Sequence, residues 1–131
     1  MTEPCLPPSL DEMEAIAARA FETIPAELRD HVAHVIFRVQ DFPDQDVLDD
    51  FGIESPFDLM GLYQGVSLDR KSVSSPPPDV DMIFLYRRPI LDYWCETGED
   101  LEHVVRHVLI HEIGHHFGLS DADMDRIEAE V

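Results

Sequence analysis

The chain has few of the features that mark secreted, membrane-bound or nucleic-acid-binding proteins. Its 131 residues include only two cysteines, Cys5 and Cys95, which are too few for the disulfide framework of a small secreted domain. No apolar stretch reaches membrane-spanning length, and the first residues lack the basic and apolar regions of a secretory signal. These absences predict a cytoplasmic protein.

Basic residues are also scarce. Nine lysines and arginines stand against 28 aspartates and glutamates, which gives a formal net charge of −19. Such a charge repels phosphates and anionic lipid headgroups, so neither nucleic acid nor a membrane is expected as a partner. The same charge attracts cations, which favours basic peptides or basic protein segments as partners. The composition leaves the oligomeric state open.

The length predicts one domain, which we place at residues 9–131 after a disordered, proline-containing tail at residues 1–8. Ser9-Leu10-Asp11-Glu12 matches a capping box, and apolar residues at helical spacing follow as far as Pro25. The acidic segment Asp41–Glu54 does not match a calcium-binding EF-hand loop, so it is interpreted as a solvated loop with a short helix at Val47–Phe51.

The remaining chain alternates between strand-like and helix-like patterns. Runs of β-branched and aromatic residues predict strands at Val32–Val39, Gly61–Leu68 and Met82–Tyr86. Prolines predict an exposed loop at Ser72–Asp81. Helical periodicity predicts helices at Ile90–Thr97, at residues 99–117 and at Ala122–Glu130. This order predicts an α+β fold in which a small mixed sheet packs against helices.

The segment from His111 to Asp121 reads H-E-x-x-H-x-x-G-x-x-D and carries the clearest chemical signal. On a helix, His111 and His115 project from one face and can bind the same metal ion. Gly118 can adopt the positive φ that ends a helix, and the resulting turn could bring Asp121 to that ion. Two imidazole nitrogens, one carboxylate and an open position form a plausible catalytic zinc site.

The motif predicts a zinc-dependent peptidase with Zn²⁺ as its cofactor. Zinc with an open position activates a bound water, and Glu112 would act as general base on that water and then protonate the leaving amine. A serine nucleophile motif, G-x-S-x-G, is absent, and Cys95 has no catalytic motif around it.

These residues resemble those of the short bacterial zincin-like metallopeptidases, which carry H-E-x-x-H-x-x-G-x-x-D near the C-terminus. The resemblance implies a minimal zincin-like domain whose zinc-motif helix lies close to the C-terminus. It also implies His111, His115 and Asp121 as metal ligands, Glu112 as the catalytic base and Gly118 as the turn. The implied substrate is a peptide or a flexible protein segment.

Several assignments around the motif stay open. Three acidic residues of the last helix compete with Asp121 as third ligand; they are Asp123, Asp125 and Glu128. His107 lies one turn before His111 and is either a supporting hydrogen-bond partner or an ordinary histidine. His103 is expected to be solvated and His116 to be structural. The residue that stabilises the oxyanion cannot be chosen among Tyr63, Tyr86, Tyr93, Arg87 and Arg88.

Two other functions compete with the peptidase. One is a zinc-binding interaction module with little or no turnover, and the other is a structural domain without metal. The presence of Glu112 favours the peptidase, since a structural site needs ligands but no base. For the peptidase, we expect an extended substrate to add to Met82–Tyr86 or to its neighbouring strand, with basic residues near the scissile bond.

Overall fold

The structure, a computed structural model, describes residues 6–32, 34–64 and 81–129. These ranges contain helices α1 (Leu10–Glu22), α2 (Ala26–Arg29), α3 (Gln45–Phe51), α4 (Arg87–Thr97), α5 (Leu101–His116) and α6 (Asp121–Ala129). They also contain strands β1 (Ile36–Gln40), β2 (Gly61–Gln64) and β3 (Met82–Tyr86). Two 3₁₀ turns lie at Asp30–Val32 and Pro56–Asp58.

The three strands form a mixed sheet in the order β1-β3-β2. β1 runs parallel to β3 with Ile36 opposite Met82, and β2 runs antiparallel to β3 with Gly61 opposite Leu85. The central position of β3 explains why Ile83 and Leu85 are fully buried. The predicted α+β fold with a small mixed sheet is confirmed.

The core lies between the sheet, α1 and the long helix α5. α1 contributes Met13, Ala17 and Ala20, whose spacing places them on one helix face, and all three are inaccessible to solvent. α1 contacts both α5 and β1, while α5 also contacts β2, β3 and α6. The motif helix is therefore held from several sides, which gives its side chains fixed positions.

The helix boundaries follow the sequence patterns closely. Both halves of the predicted capping box are present, with Ser9 Oγ accepting from the Glu12 amide at 3.2 Å and Glu12 Oε1 accepting from the Ser9 amide at 2.9 Å. α4 begins at Arg87, three residues earlier than predicted, because it follows β3 without a loop.

The first strand begins later than predicted. Val32 belongs to a 3₁₀ turn that continues α2, and the strand starts only at Ile36. Val32 is buried by that turn, and its carbonyl accepts from the Val35 amide at 3.0 Å. Its β-branched side chain therefore serves the core without belonging to the sheet.

Some predictions fall outside the described residues. The second strand is described only to Gln64, and of the predicted loop Ser72–Asp81 only Asp81 is described. Most of the predicted tail at residues 1–8 also lies outside, so the division into tail and domain stays a prediction. Within the described ranges, no helix is both long and apolar enough to cross a membrane.

Candidate metal centre

Helix α5 carries the motif and has a defined start and end. At its start, the Asp100 side chain accepts from the His103 amide at 3.1 Å. At its end, Gly118 has a φ of +73°, its amide donates to the His115 carbonyl at 3.1 Å, and the Leu119 amide donates to the Gly114 carbonyl at 2.9 Å. This is a Schellman motif, and it confirms the turn predicted at Gly118.

The turn leads into α6, which packs back against α5. Gly114 permits the close approach, because a Cβ atom at this position would lie 2.8 Å from Met124 Cγ. Ser120 and Asp123 close the start of α6 reciprocally, since each side chain accepts from the other residue's amide. This packing places Glu128, on the second turn of α6, beside the middle of α5.

Glu128 meets two histidines of α5 there. Its Oε1 lies 2.5 Å from His107 Nδ1 and 3.3 Å from His111 Nε2. The two imidazole rings are 4.1 Å apart between centroids. Three ligand atoms from these residues lie within 4.8 Å of one another, so the group could hold a metal ion.

Two atoms of this group are buried and close to polar neighbours, but their hydrogen-bonding capacity is not used. Within the described part of the chain, His111 Nε2 and Glu128 Oε1 make no hydrogen bond of acceptable geometry, although they are close in distance. Burial lowers the pKa of His111, and the neighbouring His107 lowers it further. Glu128 acts in the other direction, and the net lowering favours the neutral imidazole, which is the form that binds a metal. A buried polar atom without a hydrogen bond is costly unless an ion or water pairs with it.

Glu112 faces β2, which is an outer strand in the described part of the sheet. Its carboxylate accepts a hydrogen bond from the Tyr63 amide at 3.3 Å. Burial raises the pKa of Glu112, while the Tyr63 hydrogen bond and the charge of His115 act in the other direction. A carboxylate with a raised pKa is a stronger base than a solvated one.

Strand and helix can approach this closely because residue 61 is glycine. A Cβ atom on Gly61 would lie 2.6 Å from Val108 Cγ1 and 3.4 Å from Glu112 Cγ. The next residues add aromatic contacts, since the Tyr63 ring stacks on His116 with 3.9 Å between centroids. The Tyr63 hydroxyl donates to Asp81 Oδ2 at 2.7 Å. The environment of Glu112 is thus fixed by β2 and by the end of α5.

The other predicted ligands lie at the periphery. His115 is exposed, and its ring meets that of His111 edge-on at 5.8 Å between centroids. Asp121 is the exposed first residue of α6. The metal-competent group that the described residues form contains neither of them. The assignment of His111, His115 and Asp121 stays a prediction, and Glu128 is the rival carboxylate that lies near His111.

Sequence reasoning overlooked Arg106, which is 5% exposed. Its guanidinium donates to Thr23 Oγ1 at 3.0 Å and to the backbone carbonyl of Glu128 at 3.1 Å. Arg106 therefore links the end of α1 to the part of α6 that carries Glu128. In the sequence, Arg106 stands between the apolar helix positions Val105 and Leu109. This placement could have indicated a buried arginine, because a charge on the apolar face of a helix needs internal partners.

A family model described as zincin-like metallopeptidase matches residues 32–131, which includes the whole sheet and the motif helix. No curated protein matches the chain.

Proposed function

The chain belongs to the zincin-like metallopeptidase family, and from this premise we propose that it is a zinc-dependent peptidase. The observation that carries the proposal is the position of Glu112. Its partly buried carboxylate adjoins the metal-competent His111 and accepts a hydrogen bond from the backbone of β2. A structural zinc site needs no such base, whereas amide hydrolysis requires one beside the ligands.

The donor set is suited to zinc. Neutral imidazole nitrogens and carboxylate oxygens are ordinary zinc ligands, and His111 has a buried nitrogen that makes no hydrogen bond to any described residue. We assign His111 and His115 as the ligand pair and Asp121 as the third ligand, with Glu128 as its rival. When bound, zinc supplies a Lewis acid that polarises the substrate carbonyl and lowers the pKa of water. Comparing zinc affinity in Asp121→Asn and Glu128→Gln, each combined with His107→Ala, decides between the two carboxylates.

Glu112 is the proton carrier in this proposal. Burial raises the pKa of Glu112 and makes its carboxylate a better acceptor for a proton from the attacking water. It can then deliver that proton to the departing amine, which leaves Glu112 ionised for the next cycle. The proposed reaction needs no covalent intermediate.

The proposed substrate is an extended peptide or a flexible protein segment. β2 is paired with β3 on one side, and Glu112 lies at β2, so a substrate strand added to β2 would pass beside the base. This refines the expected cleft, because Met82–Tyr86 is the central strand and its neighbour β2 offers the edge. A basic substrate and a cytoplasmic location, suggested by charge and composition, complete the proposal.

The test compares Glu112→Gln with the wild-type protein in a peptide-library cleavage assay, alongside measured zinc content. We expect the variant to retain zinc and to lose activity by roughly 10²–10⁴-fold, the usual effect of removing a general base. Glu102→Gln is a matched control, because Glu102 lies on the same helix but is exposed and ion-paired with Arg19 at 2.9 Å.

Two results would contradict the proposal. Cleavage by Glu112→Gln at the wild-type rate would remove Glu112 from the mechanism. A wild-type protein that binds zinc but cleaves nothing in a broad library would favour the zinc-binding interaction module.

A further inference from the structure

We propose that His107, His111 and Glu128 form a second zinc site, which overlaps the motif pair by sharing His111. The H-E-x-x-H motif accounts for His111 and His115, whereas His107 lies one turn earlier on α5 and Glu128 lies on α6. The evidence for this site is the geometry of its three residues. Its competition with the pair His111 and His115 rests on the proposed function.

The three side chains already converge. Glu128 Oε1 is 2.5 Å from His107 Nδ1 and 3.3 Å from His111 Nε2, and the ligand atoms of the group lie within 4.8 Å of one another. Small side-chain rotations therefore suffice for all three to reach one ion. Two nitrogens and one carboxylate oxygen form a ligand set that zinc accepts.

Two ligand atoms of the group are buried and would gain from a bound cation, although Glu128 Oε1 already lies close to His107 Nδ1. Among the described residues, His111 Nε2 and Glu128 Oε1 are side-chain atoms that are buried without a hydrogen bond. Burying polar atoms without hydrogen bonds is costly, and a divalent cation between these atoms would offset that cost.

The scaffold holds Glu128 in place independently of any metal. Arg106 Nη1 donates to the Glu128 backbone carbonyl at 3.1 Å, and Met124 packs against Gly114 one turn earlier on α6. Arg106 is thus a positioning residue for this site. A preformed ligand set binds a metal without the entropy cost of ordering its residues.

The site lies away from the proposed base. Around the axis of α5, Glu112 is roughly 140° from His107 but only roughly 60° from His115. Accordingly, His107 contacts α6, whereas Glu112 contacts β2. An ion bound by His107, His111 and Glu128 would hold His111 on the α6 side, so each chain would bind one zinc ion at a time.

The experiment measures zinc binding by competition with a chromophoric chelator, with no substrate present. The key variant is His115→Ala, which removes the motif pair and, because His115 is exposed, is compatible with folding. We expect this variant to bind one equivalent of zinc. In the same background, His107→Ala or Glu128→Gln should weaken binding by about tenfold or more.

The matched control is His103→Ala in the His115→Ala background, since His103 is an exposed histidine of the same helix outside the group. It should leave zinc affinity unchanged, and circular dichroism verifies the fold of each variant. The proposal is overturned if His115→Ala binds no zinc, or if adding His107→Ala has no effect. Two equivalents of tightly bound zinc in the wild-type protein would overturn the sharing of His111. Because no activity is measured, these outcomes are independent of the Glu112→Gln test.

Discussion

Arg106 joins three helices through one buried side chain. It lies on α5, donates to Thr23 at the end of α1 and donates to the Glu128 carbonyl of α6. Hydrogen bonds from charged groups contribute more to stability than neutral ones, and their loss leaves buried acceptors unsatisfied.

We therefore expect Arg106→Met to lower the free energy of unfolding by about 2 kcal/mol, measured by urea denaturation. Arg19→Met is the matched control, because the Arg19 side chain is 61% exposed and its ion pair with Glu102 is worth little. Equal effects of the two substitutions would show that Arg106 is not a structural link.

The tyrosines provide a prediction about alkaline pH. Burial raises the pKa of Tyr86 to about 12, and burial together with the Asp81 hydrogen bond raises the pKa of Tyr63 further. The hydrogen bond to Glu99 raises the pKa of Tyr93. Each raised pKa contributes stability below the unfolded pKa of about 10, and this contribution is lost as the pH rises through the folded pKa.

At about pH 11, the native protein should therefore show much less phenolate absorbance than the same protein unfolded in urea. The free energy of unfolding should fall as the pH rises from about 10 to about 12. Coinciding titration curves for native and unfolded protein would mean that the tyrosine hydroxyls are not protected.

At the scale of elements, the approach of α5 to β2 depends on Gly61. A methyl group at this position would contact Val108 Cγ1 and the Phe84 carbonyl, at 2.6 and 3.2 Å. Gly61→Ala should therefore destabilise the protein by about 1–3 kcal/mol through overpacking, and should shift the edge strand relative to Glu112.

The control for this prediction is the double variant Gly61→Ala/Val108→Ala, which removes the atom that the new methyl group would meet. Thermal unfolding of the single and double variants should show that the effects are not additive, because the two sites are in contact. Strictly additive effects would exclude steric conflict as the cause.

Local patterns predicted most of these elements. The capping box at Ser9, the apolar run Met82–Tyr86 and the glycine turn at Gly118 each depend on residues close in sequence, and each is present. The β-branched pattern was misleading at Val32, because burial in a turn and burial in a strand select the same side chains.

The candidate site was less predictable, because part of it depends on how two helices pack against each other. The i, i+4 spacing of His111 and His115 is a local property of α5, and it placed the motif on a helix. The position of Glu128 beside His107 depends on how α6 crosses α5, which is set by the contact between Gly114 and Met124. Spacing along the chain does not contain that crossing angle.

At the scale of the whole molecule, the net charge of −19 should influence which substrates are bound. If peptides with Lys or Arg near the scissile bond are drawn in electrostatically, their kcat/KM should fall as salt is added, since the Debye length shortens from about 30 Å at 0.01 M to about 8 Å at 0.15 M. The test measures kcat/KM for matched Lys-containing and Ser-containing peptides over a series of salt concentrations. A preference for acidic flanks, or equal salt dependence of both peptides, would contradict it.

The hydrogen bond between Tyr63 and Glu112 also has a consequence for self-association. In the described part of the sheet, β2 pairs only with β3, and a free amide on an edge strand can recruit a strand from another molecule. The Glu112 carboxylate occupies the Tyr63 amide and so covers one such donor. A glutamine at this position keeps an acceptor oxygen, whereas an alanine leaves the donor open. We therefore expect Glu112 to disfavour pairing with another copy of the chain at Tyr63, and a substrate strand that pairs with this residue would have to displace the carboxylate. Only the glutamine variant separates this role from the proposed chemistry.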